Sequence, residues 1–192
     1  VLTALALVWT SLDLDVIILP VNVIGMPDWP EGPVVIEPSK DEDAHGWVSS
    51  LFGDKTLESL GLLPISAIET VQSEDAGTVR GIACRMGLSG PSVFFCVRGA
   101  ARQLAIDLRP GSPTLLRHMS IDLTEVDGRA LVVPTGFGHG WQALTQKTAM
   151  VRMGTGEQNA LVGVRPDDPR IAIKWPVSPM LITAKDRAWE PL

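Results

Sequence analysis

A histidine set in a glycine-rich corner is the first place in this sequence where chemistry could reside. Val132-Val133-Pro134-Thr135-Gly136-Phe137-Gly138-His139-Gly140-Trp141 reads as a β-branched strand that stops at a proline, turns through glycine, and restarts with an imidazole and an indole. Glycine at 136, 138 and 140 allows a tight turn and a close backbone approach to whatever His139 faces, and Pro134 marks a break in strand pairing. A barrel wall delivers a side chain into its cavity in this way, and the same corner also suits a hydrogen-bonded core histidine. An unperturbed imidazole titrates near pH 6.5, which fits His139 for acid/base work at neutral pH. Trp141 can be a core filler or a platform on which a ligand stacks.

The elements that must position such a corner are short strands. The chain carries 15 Pro and 18 Gly, which favours many strands joined by turns over long helices. Runs of β-branched and alternating residues at 67–71, 78–86, 92–97, 101–108, 115–123, 130–133, 141–144, 149–153, 160–164 and 171–173 are separated by Gly, Pro, Asp or Asn, as in Arg109-Pro110-Gly111-Ser112-Pro113. Even spacing of short strands without intervening helices predicts an all-β sandwich or barrel, of which the double Greek-key jelly roll is one solution. Ahead of this body, a strand-like run at 12–23 and a Pro/Gly-rich break at 25–33 read as an arm and linker. A strand follows at 34–37, then an acidic turn, Lys40-Asp41-Glu42-Asp43, and a further extended run at 46–51. A helix is predicted over 55–60, capped by Asp54 and closed by Gly61. With 192 residues, one core-forming domain at 33–192 behind an arm at 1–32 is expected.

A formal charge of −6 argues against binding nucleic-acid backbone, which requires clustered Lys and Arg. The two cysteines, Cys84 and Cys96, are too few for a disulfide framework and read as small apolar residues in a reduced, cytoplasmic setting. The apolar run at 1–20 lacks a basic start and carries Asp13 and Asp15, so it is expected neither to span a membrane nor to be a cleaved leader.

Several segments resemble the dTDP-4-dehydrorhamnose 3,5-epimerase family, in order and at matching spacing. They are Pro33-Val34-Val35-Ile36-Glu37-Pro38, Asp43-Ala44-His45-Gly46, Thr78-Val79-Arg80-Gly81-Ile82, and Leu104-Ala105-Ile106-Asp107-Leu108-Arg109-Pro110-Gly111-Ser112-Pro113-Thr114. The corner from Val133 onward, Asp167-Asp168-Pro169, Ile173-Lys174-Trp175-Pro176 and Ala184-Lys185-Asp186 complete the set, over roughly residues 33–192. The resemblance implies a cupin-type jelly roll, free of metal and cofactor, that dimerises by exchanging N-terminal strands. It implies epimerisation beside the C4 keto group of a dTDP-4-keto-6-deoxy sugar, by a histidine base, a tyrosine acid and a lysine near the enolate. Ala83-Cys84-Arg85 offers no His-x-His pair of the kind metal-binding cupins use.

Carried over by position, the base histidine falls on Ala83, the lysine on Ser92, a cavity aspartate on Gln103 and the tyrosine on Arg152, in a chain with no tyrosine at all. His45 stands where the family has a nucleotide-holding arginine. Arg80, His139 and Asp186 remain. A methyl group takes no proton, so the resemblance implies a rebuilt cavity, larger and less polar, with Phe94, Cys96 and Met153 adding apolar surface beside Trp141. Asp186, deprived of its histidine, is expected to pair with Arg152. That pair could hold a retired site together, or Arg152 could bind a carboxylate or enolate while His139 or Asp186 moves a proton. The expected activity is a cofactor-free isomerisation or cyclisation type reaction on a larger, less polar substrate in specialised-metabolite biosynthesis. A reduced dTDP-sugar epimerase and a non-catalytic ligand-binding homologue are the alternatives.

Overall fold

The computed structural model describes residues 21–192 except 27, 63, 86–88, 157–160 and 179. The apolar run at 1–20 therefore lies outside the described residues, and with it most of the expected arm. Two sheets face one another. The first runs in the order β1 (Val21–Ile24), β2 (Val34–Pro38), β10 (Ala130–Val133), β7 (Ser89–Arg98), β12 (Thr148–Gly156) and β5 (Ile65–Ser73). The second runs β13 (Leu161–Gly163), β6 (Thr78–Arg85), β11 (Phe137–Ala143), β8 (Ala100–Asp107) and β9 (His118–Thr124), with β14 (Leu181–Ile182) added parallel to β6. Spatial neighbours distant in sequence, such as β2 beside β10 and β7 beside β12, give the jelly-roll arrangement expected of this all-β, cupin-type chain. A separate hairpin, β3 (Lys40–Asp43) and β4 (Gly46–Ser49), projects ahead of the body.

Strand alternation divides the apolar residues into three clusters. Between the sheets, Phe94, Cys96, Leu131, Val133, Phe137, Trp141 and Met150 pack with Trp29 and Leu123. Behind the first sheet, Val93, Val132 and Ile36 pack against Leu57 and Leu62, around the helix α1 (Asp54–Ser59). Behind the second sheet, Ile82, Leu104 and Ile106 are covered by Val164 and Ile171. Each such side chain contributes about 1.5–3 kcal/mol by leaving water, so the two smaller outer layers add substantially to what the inner one supplies. The alternation corrects one expectation. Met150 belongs to the inner cluster, whereas Met153, three residues on, packs outward with Val93 and Val132.

Several boundaries differ from the sequence reading for identifiable reasons. Helix α1 is capped by Gly53, in extended conformation, and not by Asp54. The acidic run at 40–43 is itself a strand, because Asp43 Oδ1 accepts from the His45 and Gly46 amides and moves the turn one step later. Residues 115–117 are loop, wound around Asp107. This fully buried carboxylate accepts from the Arg109 amide, Nε and Nη2, from Ser112 Oγ at 2.6 Å and from Thr114 Oγ1 at 2.7 Å. Burial alone would raise its pKa, but these bonds hold it well below the usual carboxylate range. Residues 171–173 form no strand. A short helix the sequence reading did not include, α2 (Ala184–Arg187), begins at Thr183, whose side chain accepts from the Asp186 amide. The Thr-x-x-Asp spacing is the cap signal that marks it.

Candidate functional site

A cavity of about 700 Å³ opens between the sheets, walled by β5, β6, β7, β11, β12, β13 and α2. The glycine corner shapes one wall. Gly136 turns the chain with φ +80°, and a Cβ on Gly140 would stand 2.8 Å from the Arg80 carbonyl oxygen, so β11 approaches β6 only because glycine is there. The register slips between His139 and Gly140 opposite Ala83 and Gly81, and such a bulge re-aims the side chains around it.

His139 lines the cavity and packs on Phe94, with ring centroids 4.7 Å apart and planes inclined by 41°. Burial deep in the barrel, reinforced by the positive charges of Arg152 and Arg85, pushes its pKa down to about 3. The ring is therefore neutral at neutral pH. The lowered proton affinity makes it a weaker base there than an unperturbed imidazole.

Arg152 does not pair with Asp186. Its Nη1 donates to Glu69 Oε2 at 2.6 Å and its Nη2 to Ser92 Oγ at 3.1 Å. Strand register explains the choice: Glu69, Arg152 and Phe94 lie opposite one another across β5, β12 and β7. Arg85 Nη2 approaches the same Glu69 oxygen at 3.8 Å. Asp186 is buried on α2, where its carboxylate accepts from Thr183 Oγ1. It reaches the cavity wall together with Lys185 and Thr183.

The other expected site residues divide. Arg80, Ala83, Phe94 and Trp141 line the cavity. Arg80 also ties β6 to the end of β5, through Nε to Ser73 Oγ and Nη2 to the Gln72 carbonyl, both 2.8 Å. Ser92 lies just behind the wall, beside Arg85 and His139 in a smaller hollow. Gln103 is fully buried, donates to the Leu104 carbonyl at 3.1 Å, and does not line the cavity. Met153, on the outer face, does not line it either. Glu69 and Arg85 were missing from the sequence reading. Arg85 follows Ala83 by two on one strand, which is the spacing that puts it on the same face. Both cysteines are buried and the burial raises their pKa values, Cys96 to about 11, so neither is a ready nucleophile.

The family model for dTDP-4-dehydrorhamnose 3,5-epimerase matches residues 30–192. The chain belongs to this family. Among relatives of this epimerase-family protein, the dTDP-4-dehydrorhamnose 3,5-epimerase of Sinorhizobium fredii is 32% identical over 158 residues, 79% of this chain and 80% of that protein. A dTDP-4-dehydrorhamnose 3-epimerase of Streptomyces niveus is 30% identical, over 82% of this chain and 78% of that one. The Bacillus anthracis 3,5-epimerase, solved with TDP and PPi bound, superposes with a TM-score of 0.83 at 28% identity, over 90% of this chain and all of that one. NovW, a 4-keto-6-deoxy sugar epimerase from the novobiocin cluster of Streptomyces spheroides, superposes with a TM-score of 0.79 at 27% identity, over 90% and 87%.

Seen as an epimerase-family cavity, the site carries cationic and apolar side chains on both sheets. Arg80, Arg85, Arg152 and Lys185 stand against the carboxylates of Glu69 and Asp186, while Val71, Phe94, Trp141, Met150 and Leu161 supply carbon surface. Such a pocket can bind an anion, polarise a carbonyl and hold a developing enolate. Among the described residues no group of three His, Cys, Asp or Glu is placed to hold a metal ion, and no helix is long and apolar enough to cross a membrane.

Proposed function

We propose that this protein is a diverged enzyme of the epimerase family that isomerises or cyclises a carbonyl compound less polar than a nucleotide sugar, as in specialised-metabolite biosynthesis. The observation that carries the reading is Arg152. By resemblance it stands at the position of the family's tyrosine acid, and here its guanidinium is fixed by Glu69 and Ser92 at the wall of the cavity. A guanidinium cannot donate a proton at neutral pH, but it stabilises an enolate oxygen well. With Ala83 at the position of the histidine base and His139 held neutral, proton transfer falls to Asp186, whose carboxylate lines the cavity and is oriented by Thr183. In that step a C–H bond next to the carbonyl breaks, its proton passes to the carboxylate, and the electron pair becomes the enolate facing Arg152.

Incubation with a dTDP-4-keto-6-deoxy sugar in D2O, followed by NMR, tests the departure from the family reaction. No deuterium is expected at C5, and incorporation at both C3 and C5 at an enzymatic rate would overturn the reading. A second reading, a dTDP-sugar epimerase with a rebuilt site, is favoured by Arg80, His139 and Asp186 still lining one cavity. Exchange at C3 alone would select it, and a ligand bound tightly and released unchanged would select a non-catalytic homologue.

The resemblance also leads us to propose a homodimer joined by the N-terminal arm. Strand β1, the outer strand of its sheet, leaves Val23 and Ile24 exposed, which supports it. Sedimentation at twice the 20.6 kDa chain mass is expected, and a species of single-chain mass at micromolar concentration would remove the proposal.

A further inference from the structure

We propose that the carboxylate of Glu69 keeps the seat of an acidic group belonging to the ligand. The ligand class is an organic acid or acidic enol, with one anionic head and an apolar body. The inference rests on the cavity being a substrate site, and it does not depend on turnover.

Two guanidiniums converge on a single oxygen, Glu69 Oε2, from Arg152 at 2.6 Å and from Arg85 at 3.8 Å. The partners are unequally secured. The Arg152 side chain is 8% exposed and that of Arg85 19%, whereas Glu69 is 48% exposed. The cations are built into the wall, whereas the carboxylate is already half in water, and turning it outward would free the Arg152 guanidinium it now covers. A ligand carboxylate arriving at Arg152 would repeat the bond that Glu69 makes and lie beside Phe94, its neighbour in the strand register. The apolar body would then meet Met150 and Trp141, which share the cavity. An uncharged ligand has no means of displacing Glu69, because it offers the two guanidiniums less than they already hold.

Isothermal titration of the intact protein with 2-naphthoate and its neutral isostere 2-naphthamide tests the seat. Naphthoate should bind roughly tenfold tighter or more, the usual margin of a charge-assisted pair over a neutral one. Glu69→Gln should strengthen naphthoate binding several-fold and leave naphthamide unchanged. Equal affinities on the unaltered protein, or no binding of either below roughly 1 mM, would overturn the proposal, as would a Glu69→Gln protein that binds the acid no better. Glu69→Asp retracts the same charge by one methylene and should also strengthen acid binding, which keeps the test open should Glu69→Gln not fold. Deuterium exchange into a nucleotide sugar would remove the proposed reaction and leave this seat standing, and equal naphthoate and naphthamide affinities would do the reverse.

Discussion

His139 shows how far residue type and residue behaviour can part. The corner around it was legible, because three glycines and a proline at fixed spacing demand a turn and a close strand approach. Its proton affinity was not, since that depends first on burial and then on the charges of Arg152 and Arg85, all of which come only from folding. The consequence for stability has a definite sign. An unfolded histidine binds its proton near pH 6.5, while the folded one does so near 3, so the unfolded state binds more protons between those values. Stability from this residue is complete above about pH 6.5 and falls as the pH drops toward 3. Urea unfolding of the wild type and His139→Asn should show the wild type losing more stability between pH 7.5 and pH 4.5. Parallel losses, or an imidazole NMR titration of this residue with a midpoint near 6.5, would contradict the assignment.

At the scale of elements, the sequence read the strands well and the loops poorly. Strands announce themselves through alternation and bounding turn residues, whereas the loop at 108–117 is organised by one buried carboxylate that no local pattern marks. Asp107 gathers Arg109, Ser112 and Thr114, and its own backbone exchanges bonds with Leu116 and Arg117. Asp107→Ala would leave Arg109 with only the exposed Glu31 and deprive two hydroxyls of their acceptor, an expected loss of about 3–5 kcal/mol at pH 7 by chemical denaturation. A loss under about 1 kcal/mol would show that the loop is not held from this point. Because the folded carboxyl titrates below its unfolded value, the wild-type advantage is full above about pH 3.9 and shrinks as the pH falls below it. Glu69 escaped notice for a related reason. It sits on β5, an edge strand with a mixed burial pattern, and the arginine that gives it meaning is 83 residues away in sequence.

For the whole molecule, the resemblance made the fold legible from ordered motifs, and the family model's match to residues 30–192 places the chain accordingly. The functional centre was legible only in outline, as a cavity that Arg80, Ala83, Phe94, His139, Trp141, Arg152 and Asp186 line while Glu69 and Arg85 went unread. Its charge in particular was hidden, because a chain of net charge −6 gives no hint of a cavity lined by four cationic side chains. Glu69, covalently joined to the wall it faces, stays near Arg152 at an effective concentration far above that of any free carboxylate in solution. Acetate, formate and other small anions bring charge and nothing more, so they lose that competition at ordinary concentrations. Only a molecule that adds carbon surface to its charge can win the place, and the protein thereby discriminates among acids by size without a dedicated steric filter.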